Sequence, residues 1–113
     1  MIPREVADFL RAGPALQVGT RDDGLVPECA RAVGYRLDPG GGAVRVYVPQ
    51  VTGGRTIANV RAWPRAAIVA AHPIDHRSLQ LKGDVVAVAE AAEDERAAVL
   101  DYLATHGALL EMV

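Results

Sequence analysis

Ala15-Leu16-Gln17-Val18-Gly19-Thr20-Arg21-Asp22-Asp23-Gly24 opens with a period of two and closes on turn residues. Leu16, Val18 and Thr20 alternate with Gln17 and Gly19, the pattern of a half-buried strand, and Arg21-Asp22-Asp23-Gly24 leads into a second strand. Residues 15 to 37 predict a hairpin. Upstream, Pro3 stands where a first helical turn tolerates it. Ile2, Val6, Phe9 and Leu10 recur at helical spacing, and Gly13-Pro14 stops a helix over residues 3 to 12. Downstream, Asp38-Pro39-Gly40-Gly41-Gly42 is a breaker, and Val44, Val46 and Val48 alternate with Arg45 and Tyr47 as a third strand.

The pattern then changes. Thr52-Gly53-Gly54-Arg55 precedes Ile57, Ala58, Val60, Arg61 and Ala62, and Pro64 closes a helix of two to three turns. Ala66 to Ala71 reads as a buried strand that ends at His72-Pro73. Leu79, Leu81, Val86 and Val88 predict a last strand. Their alternation loses phase across Gly83, where a bulge or sharp bend would return both apolar sets to one side. Glu93-Asp94-Glu95 places negative charge in a first turn, Val99, Tyr102 and Leu103 share a face, and Gly107 follows His106 as a stop, so the last helix covers 93 to 106. Antiparallel hairpins dominate and the mid-chain helix is isolated. The expected class is mainly β with peripheral α, a small antiparallel barrel with short flanking helices.

Length and composition bound the function. A chain of 113 residues builds one core, so a single domain over 1–113 is expected and a composite site would need a second chain. Twelve basic residues against fourteen acidic ones, with no basic run, argue against nucleic acid as the main partner. Charged residues, Gly or Pro interrupt every apolar stretch before it reaches the roughly 18 residues of a membrane span. The amino terminus lacks the basic-then-apolar pattern of a signal peptide, and Cys29 has no intrachain cysteine to pair with. These features predict a cytoplasmic protein.

Val51-Thr52-Gly53-Gly54-Arg55-Thr56, between a strand and a helix, has the makings of an anion cradle. Glycines let backbone amides turn inward, a helix start adds exposed N–H groups, Thr52 and Thr56 offer hydroxyls and Arg55 a guanidinium fork. A phosphate monoester suits such a cradle; a plain connection is the competing reading. Arg31 shares a strand side with Cys29, Val33, Tyr35 and Leu37. A desolvated guanidinium there calls for a structural carboxylate or a ligand phosphate, unless it is an edge-strand Arg whose head reaches water.

The order of these features resembles the pyridoxamine 5'-phosphate oxidase-like, FMN-binding split barrels. Ala15 to Thr20 with its Asp-Gly turn carries the resemblance, together with Arg31-Ala32-Val33 and Thr52 to Pro64 with Arg55 nine residues before Pro64. Arg77-Ser78-Leu79-Gln80-Leu81-Lys82-Gly83 adds a strand ending in Gly. The resemblance covers residues 2 to 106. It implies a six-stranded split barrel, a homodimer with FMN at the subunit interface, and an oxidoreductase acting on a small molecule through the flavin. It also implies that Arg31 and Arg55 hold the phosphate, with Gly54 and Thr56 in the same segment. Arg36 would border the flavin, Pro49 and Gln50 would line its ring, and Ser78 and Gln80 would reach ring or ribityl chain. No catalytic side chain or metal ligand is implied.

Three departures stand out. The phosphate segment reads Gly54-Arg55-Thr56, one cation fewer than the family's Ser-Arg-Lys. The sequence ends after Ala108-Leu109-Leu110, where relatives continue into a further strand and tail. The substrate-recognising Arg and His of that tail are missing, so pyridoxamine phosphate is not the predicted substrate. Haem is the alternative cofactor, with His72, His76 or His106 as axial ligand. A cofactor-free dimeric interaction module is the other alternative.

Overall fold

Pro3, with φ −60° and no N–H to satisfy, precedes α1 (Arg4–Arg11) in the computed structural model, which describes residues 2–111. Met1, Met112 and Val113, the ends of the expected 1–113 domain, lie outside the described residues. Ala7 and Leu10 are the buried face of α1, and Gly13 at φ +82° turns the chain into β1 (Ala15–Arg21). The hairpin follows as expected. The Asp22 carboxylate accepts from the Val26 amide at 2.9 Å, Leu25 takes the left-handed conformation at φ +63°, and β2 (Pro27–Arg31) returns antiparallel to β1.

The predicted second arm, up to residue 37, is divided between two sheets. The Ala32 amide still donates to Leu16 of β1, at 2.9 Å. The next amide, Val33, donates to Tyr47 at 2.8 Å, and the chain continues as β3 (Gly34–Leu37) paired with β4 (Val44–Tyr47). Ala32–Val33 is therefore a corner at which one continuous segment changes partner. α2 (Gln50–Ala62) comes next, then β5 (Arg65–Ala71) and β6 (Ser78–Asp84). A single 3₁₀ turn (Glu93–Glu95) enters α3 (Arg96–Glu111).

The strands form a four-stranded antiparallel sheet in the order β2-β1-β5-β6 and a two-stranded sheet, β3-β4. Leu10, Leu16, Val18, Ala32, Ala70 and Tyr102 form the buried core, with Tyr35, Val46, Val48 and Ile68 packed against it. The chain is thus a mixed α/β fold with six antiparallel strands and three α-helices among the described residues, and its strands do not close into a barrel.

Four features differ from the sequence reading. The bulge at Gly83 is not formed: register runs regularly through Ala66↔Gly83 to Arg65↔Asp84. β6 then stops, because its partner β5 begins at Arg65 behind Pro64, so Val86 and Val88 lie outside the ladder, 89% and 37% exposed. α3 passes through Gly107, which has no positive φ, and continues along Ala108-Leu109-Leu110. α2 begins at Gln50, earlier than expected.

Candidate functional site

Pro49 fixes φ at −62° as the residue before α2, so the helix starts before the glycines and takes them in. The glycine-rich cradle is accordingly absent: the Gly53 amide donates to Pro49 within the helix, at 2.8 Å. Gly53 serves packing instead, since a Cβ there would lie 2.2 Å from Val48 Cγ1. Gly53, Thr56 and Val60 form the buried face of α2. Thr56 is 3% exposed and its hydroxyl has no hydrogen-bond partner, so it faces the interior and not a solvent anion. Thr52 and Arg55, three residues apart, stand together on the exposed side over the first turn. That turn has no side-chain cap.

Arg55 leans toward β2, with Nη1 4.0 Å from Glu28 Oε2, and remains 85% exposed. Arg31, the last residue of β2, lies on the other face of the strand, three residues and about 10 Å along it. Its Nη2 is 2.7 Å from Nε2 of His106 on α3. The two guanidinium groups therefore flank the free edge of β2 without meeting, each with its own partner. The partner required for Arg31 is neither a carboxylate nor a phosphate among the described residues, but an imidazole.

Arg36 lies opposite Arg45 in the β3–β4 ladder. Two facing cations repel, and Arg45 is drawn off by Glu95, with Nη1 3.0 Å from Oε2. The Tyr47 hydroxyl donates to the same oxygen, and the Ala92 amide donates to Oε1 at 3.3 Å. The Tyr47 and Arg45 hydrogen bonds, with the amide, hold the Glu95 carboxyl down at about 2, and burial followed by the Glu95 contact raises the Tyr47 phenol. This network pins the start of α3 to β4 and leaves Arg36 exposed.

Gln50 and Gly54 share a third stripe of α2 with Ile57 and Arg61. With Tyr47 and Val88–Ala91 they line a cleft of about 640 Å³, the seam left open between β4 and the segment after β6. Gln50 Nε2 spans it to Glu90 Oε1 at 3.5 Å. Pro49 sits at its end as the cap of α2.

Ser78 and Gln80 lie on β6, at the opposite edge of the four-stranded sheet from Arg31. They are nevertheless on Arg31's face. Pairing runs Arg31↔Gln17, Gln17↔Val69 and Val69↔Gln80, one row spanning about 14 Å over three strand spacings. The neighbouring row is Cys29, Gly19, Ala67 and Lys82. This face has small half-buried residues at its centre and Arg31, Gln17, Gln80 and Lys82 around them. Cys29 Sγ approaches Gln17 Oε1 at 3.5 Å.

The three histidines lie apart, His106 on α3 and His72 and His76 in the β5–β6 connection, where His76 takes φ +62°. His106 is 5% exposed with both ring nitrogens engaged, Nδ1 lying 2.9 Å from the Gly13 carbonyl. His72 Nδ1 accepts from the Ile74 amide at 3.3 Å. No cluster of metal-ligating side chains occurs among the described residues. Sequence reasoning found Arg31 but missed its partnership with His106. The available signal was the helical spacing of Tyr102 and His106, which puts both on the inner face of α3. The chain matches no family model, curated protein or solved structure.

Proposed function

We propose that the chain binds FMN at the free edge of β2, as a homodimeric flavoprotein related to the pyridoxamine 5'-phosphate oxidase-like split barrels. One observation carries this reading: Arg55, 4.0 Å from its nearest carboxylate oxygen, stands beside the uncapped start of α2, and Arg31, with an imidazole and no carboxylate as partner, lies on the opposite face of the same free strand edge. A phosphate dianion placed there would gain two charge-assisted contacts and the dipole of α2. Arg31, Arg55, Thr52 and the first-turn amides of α2 would hold the phosphate. Each guanidinium must leave its present partner to do so, which costs affinity.

The residues present fit the phosphate end of the cofactor, and Thr56 is no part of it. A bound flavin would supply hydride or electron transfer to a small-molecule substrate; the protein supplies anchoring and orientation. The corner at Ala32–Val33 supports the split-barrel relation, since it passes one strand between two sheets. The face built on Gly19, Ala67 and Val69 supports the dimer, having small half-buried residues at its centre and polar ones at its margin. No described helix is long and apolar enough to cross a membrane. Cytoplasmic location is part of the same proposal.

Protein purified without added cofactor is expected to show flavin absorbance bands, or to quench the fluorescence of added FMN, and to run as a dimer by mass. A colourless protein indifferent to FMN at high micromolar concentration overturns the reading.

A further inference from the structure

His106 is buried, titratable and unused by the cofactor-binding reading. Its geometry fixes its proton. A guanidinium has only donors, so Arg31 Nη2–H donates to Nε2, which must be unprotonated, and Nδ1–H donates to the Gly13 carbonyl. The ring is therefore the neutral Nδ1–H tautomer. Stacking on Tyr102, with centroids 5.6 Å apart and planes 6° apart, holds it in place. Gly13 allows the approach of α3: a Cβ there would lie 2.7 Å from Thr105 Cγ2. The titratable or charged side chains facing the ring are Arg31 from β2 and Tyr102 from its own helix, and the α1–β1 connection adds only a backbone carbonyl.

We infer that His106 is a proton-operated latch on Arg31, releasing the guanidinium for an anion at the β2 edge when the imidazole is protonated. This rests on the proposed phosphate site. A proton added at Nε2 turns the acceptor into a donor and sets two cations face to face, so the contact breaks. Arg31 sits exposed at the end of an edge strand, with the Tyr102 side chain as its other near neighbour, so loss of the His106 contact removes its closest hydrogen-bond partner. His106 is thus a positioning residue that acts through Arg31.

The test compares FMN and riboflavin binding to the full chain at about pH 8 and about pH 6. Wild type, His106→Phe and His106→Gln are measured at both. His106→Phe keeps a ring against Tyr102 and removes the acceptor; His106→Gln keeps an acceptor near Nε2 that does not titrate. At pH 8, His106→Phe is expected to bind FMN roughly tenfold tighter than wild type, the scale of a hydrogen bond to a charged group. At pH 6 that ratio falls toward one, while His106→Gln stays weaker than His106→Phe by the same factor at both. Comparing variants at one pH cancels the second ionisation of the phosphate itself. Riboflavin binding is unaffected throughout. A His106→Phe to wild-type ratio that is the same at both pH values overturns the latch.

A readout without flavin separates this from the site reading. In the cofactor-free protein, the Arg31 guanidinium nitrogen resonances are expected to shift with the same midpoint as the His106 ring, which is Nδ1–H at high pH. Arg31 resonances that stay put while His106 titrates refute the latch, even if His106→Phe does not fold. Absence of FMN binding in every variant refutes the phosphate site and leaves the latch to this measurement.

Discussion

Glu95 has three hydrogen-bond donors and almost no water, and they set how the protein responds to acid. Its carboxyl is held at about 2 against an ordinary 4.5. A depressed carboxyl favours the folded state wherever the unfolded chain would bind the proton instead. The contribution is full above pH 4.5 and is lost as pH falls toward 2. Glu95→Gln should be less stable than wild type at neutral pH, and its stability should fall less steeply between those limits; chemical denaturation at stepped pH measures both. Parallel acid limbs in the two proteins would contradict the assignment. Thr56 makes the opposite case. Its orphaned hydroxyl costs stability, so Thr56→Val should raise it by about 1 kcal/mol while leaving FMN affinity unchanged, whereas Thr52→Ala should lower that affinity. Equal effects on FMN from both changes would return Thr56 to the site.

The two adjacent glycines of α2 differ in environment. Alanine improves intrinsic helix propensity by about 1 kcal/mol at either position. At Gly53 the new Cβ meets Val48 Cγ1 at 2.2 Å, so overpacking outweighs the gain and Gly53→Ala should destabilise by about 1–2 kcal/mol. At Gly54 nothing lies within 4 Å, and Gly54→Ala should stabilise by about 0.5–1 kcal/mol. Thermal unfolding of the pair, with opposite signs, is the check. This is also where sequence reasoning reached its limit. Gly-Gly before a helical pattern reads as a connection because propensity disfavours glycine in a helix, and only the tertiary position of Val48 explains it inside one. The α1 helix and the first hairpin were legible because caps, period and turn residues lie within a few positions of one another. The end of β6 was not, since it depends on where its partner starts, behind Pro64.

At the scale of the molecule, periodicity indicated antiparallel strands with flanking helices, but not which sheet each strand joins. At the Ala32–Val33 corner the inward positions slip by one residue, from Ala30 and Ala32 to Tyr35 and Leu37, and the small residues there hide the slip in the sequence. The same corner sends Arg31 outward to α3 while Tyr35 and Leu37 turn to the core, so the single apolar face expected for Arg31, Tyr35 and Leu37 is divided. The candidate site was half legible. Arg31 and Arg55 stood out by residue type and spacing, but their partners, His106 and Glu28, depend on long-range packing and on face. The proposed dimer through the Gly19–Ala67 face predicts that a Gly19→Arg variant that remains folded is a monomer by mass; a dimer unaffected by the change would contradict that interface.

Two guanidinium groups acting on one phosphate are the centre of this account, and comparing FMN with riboflavin isolates them. Fluorescence titration of wild type, Arg31→Ala and Arg55→Ala is predicted to show FMN preferred over riboflavin, with each substitution weakening FMN by roughly tenfold or more and sparing riboflavin. Wild type that binds both flavins alike, or FMN binding untouched by either substitution, would contradict it.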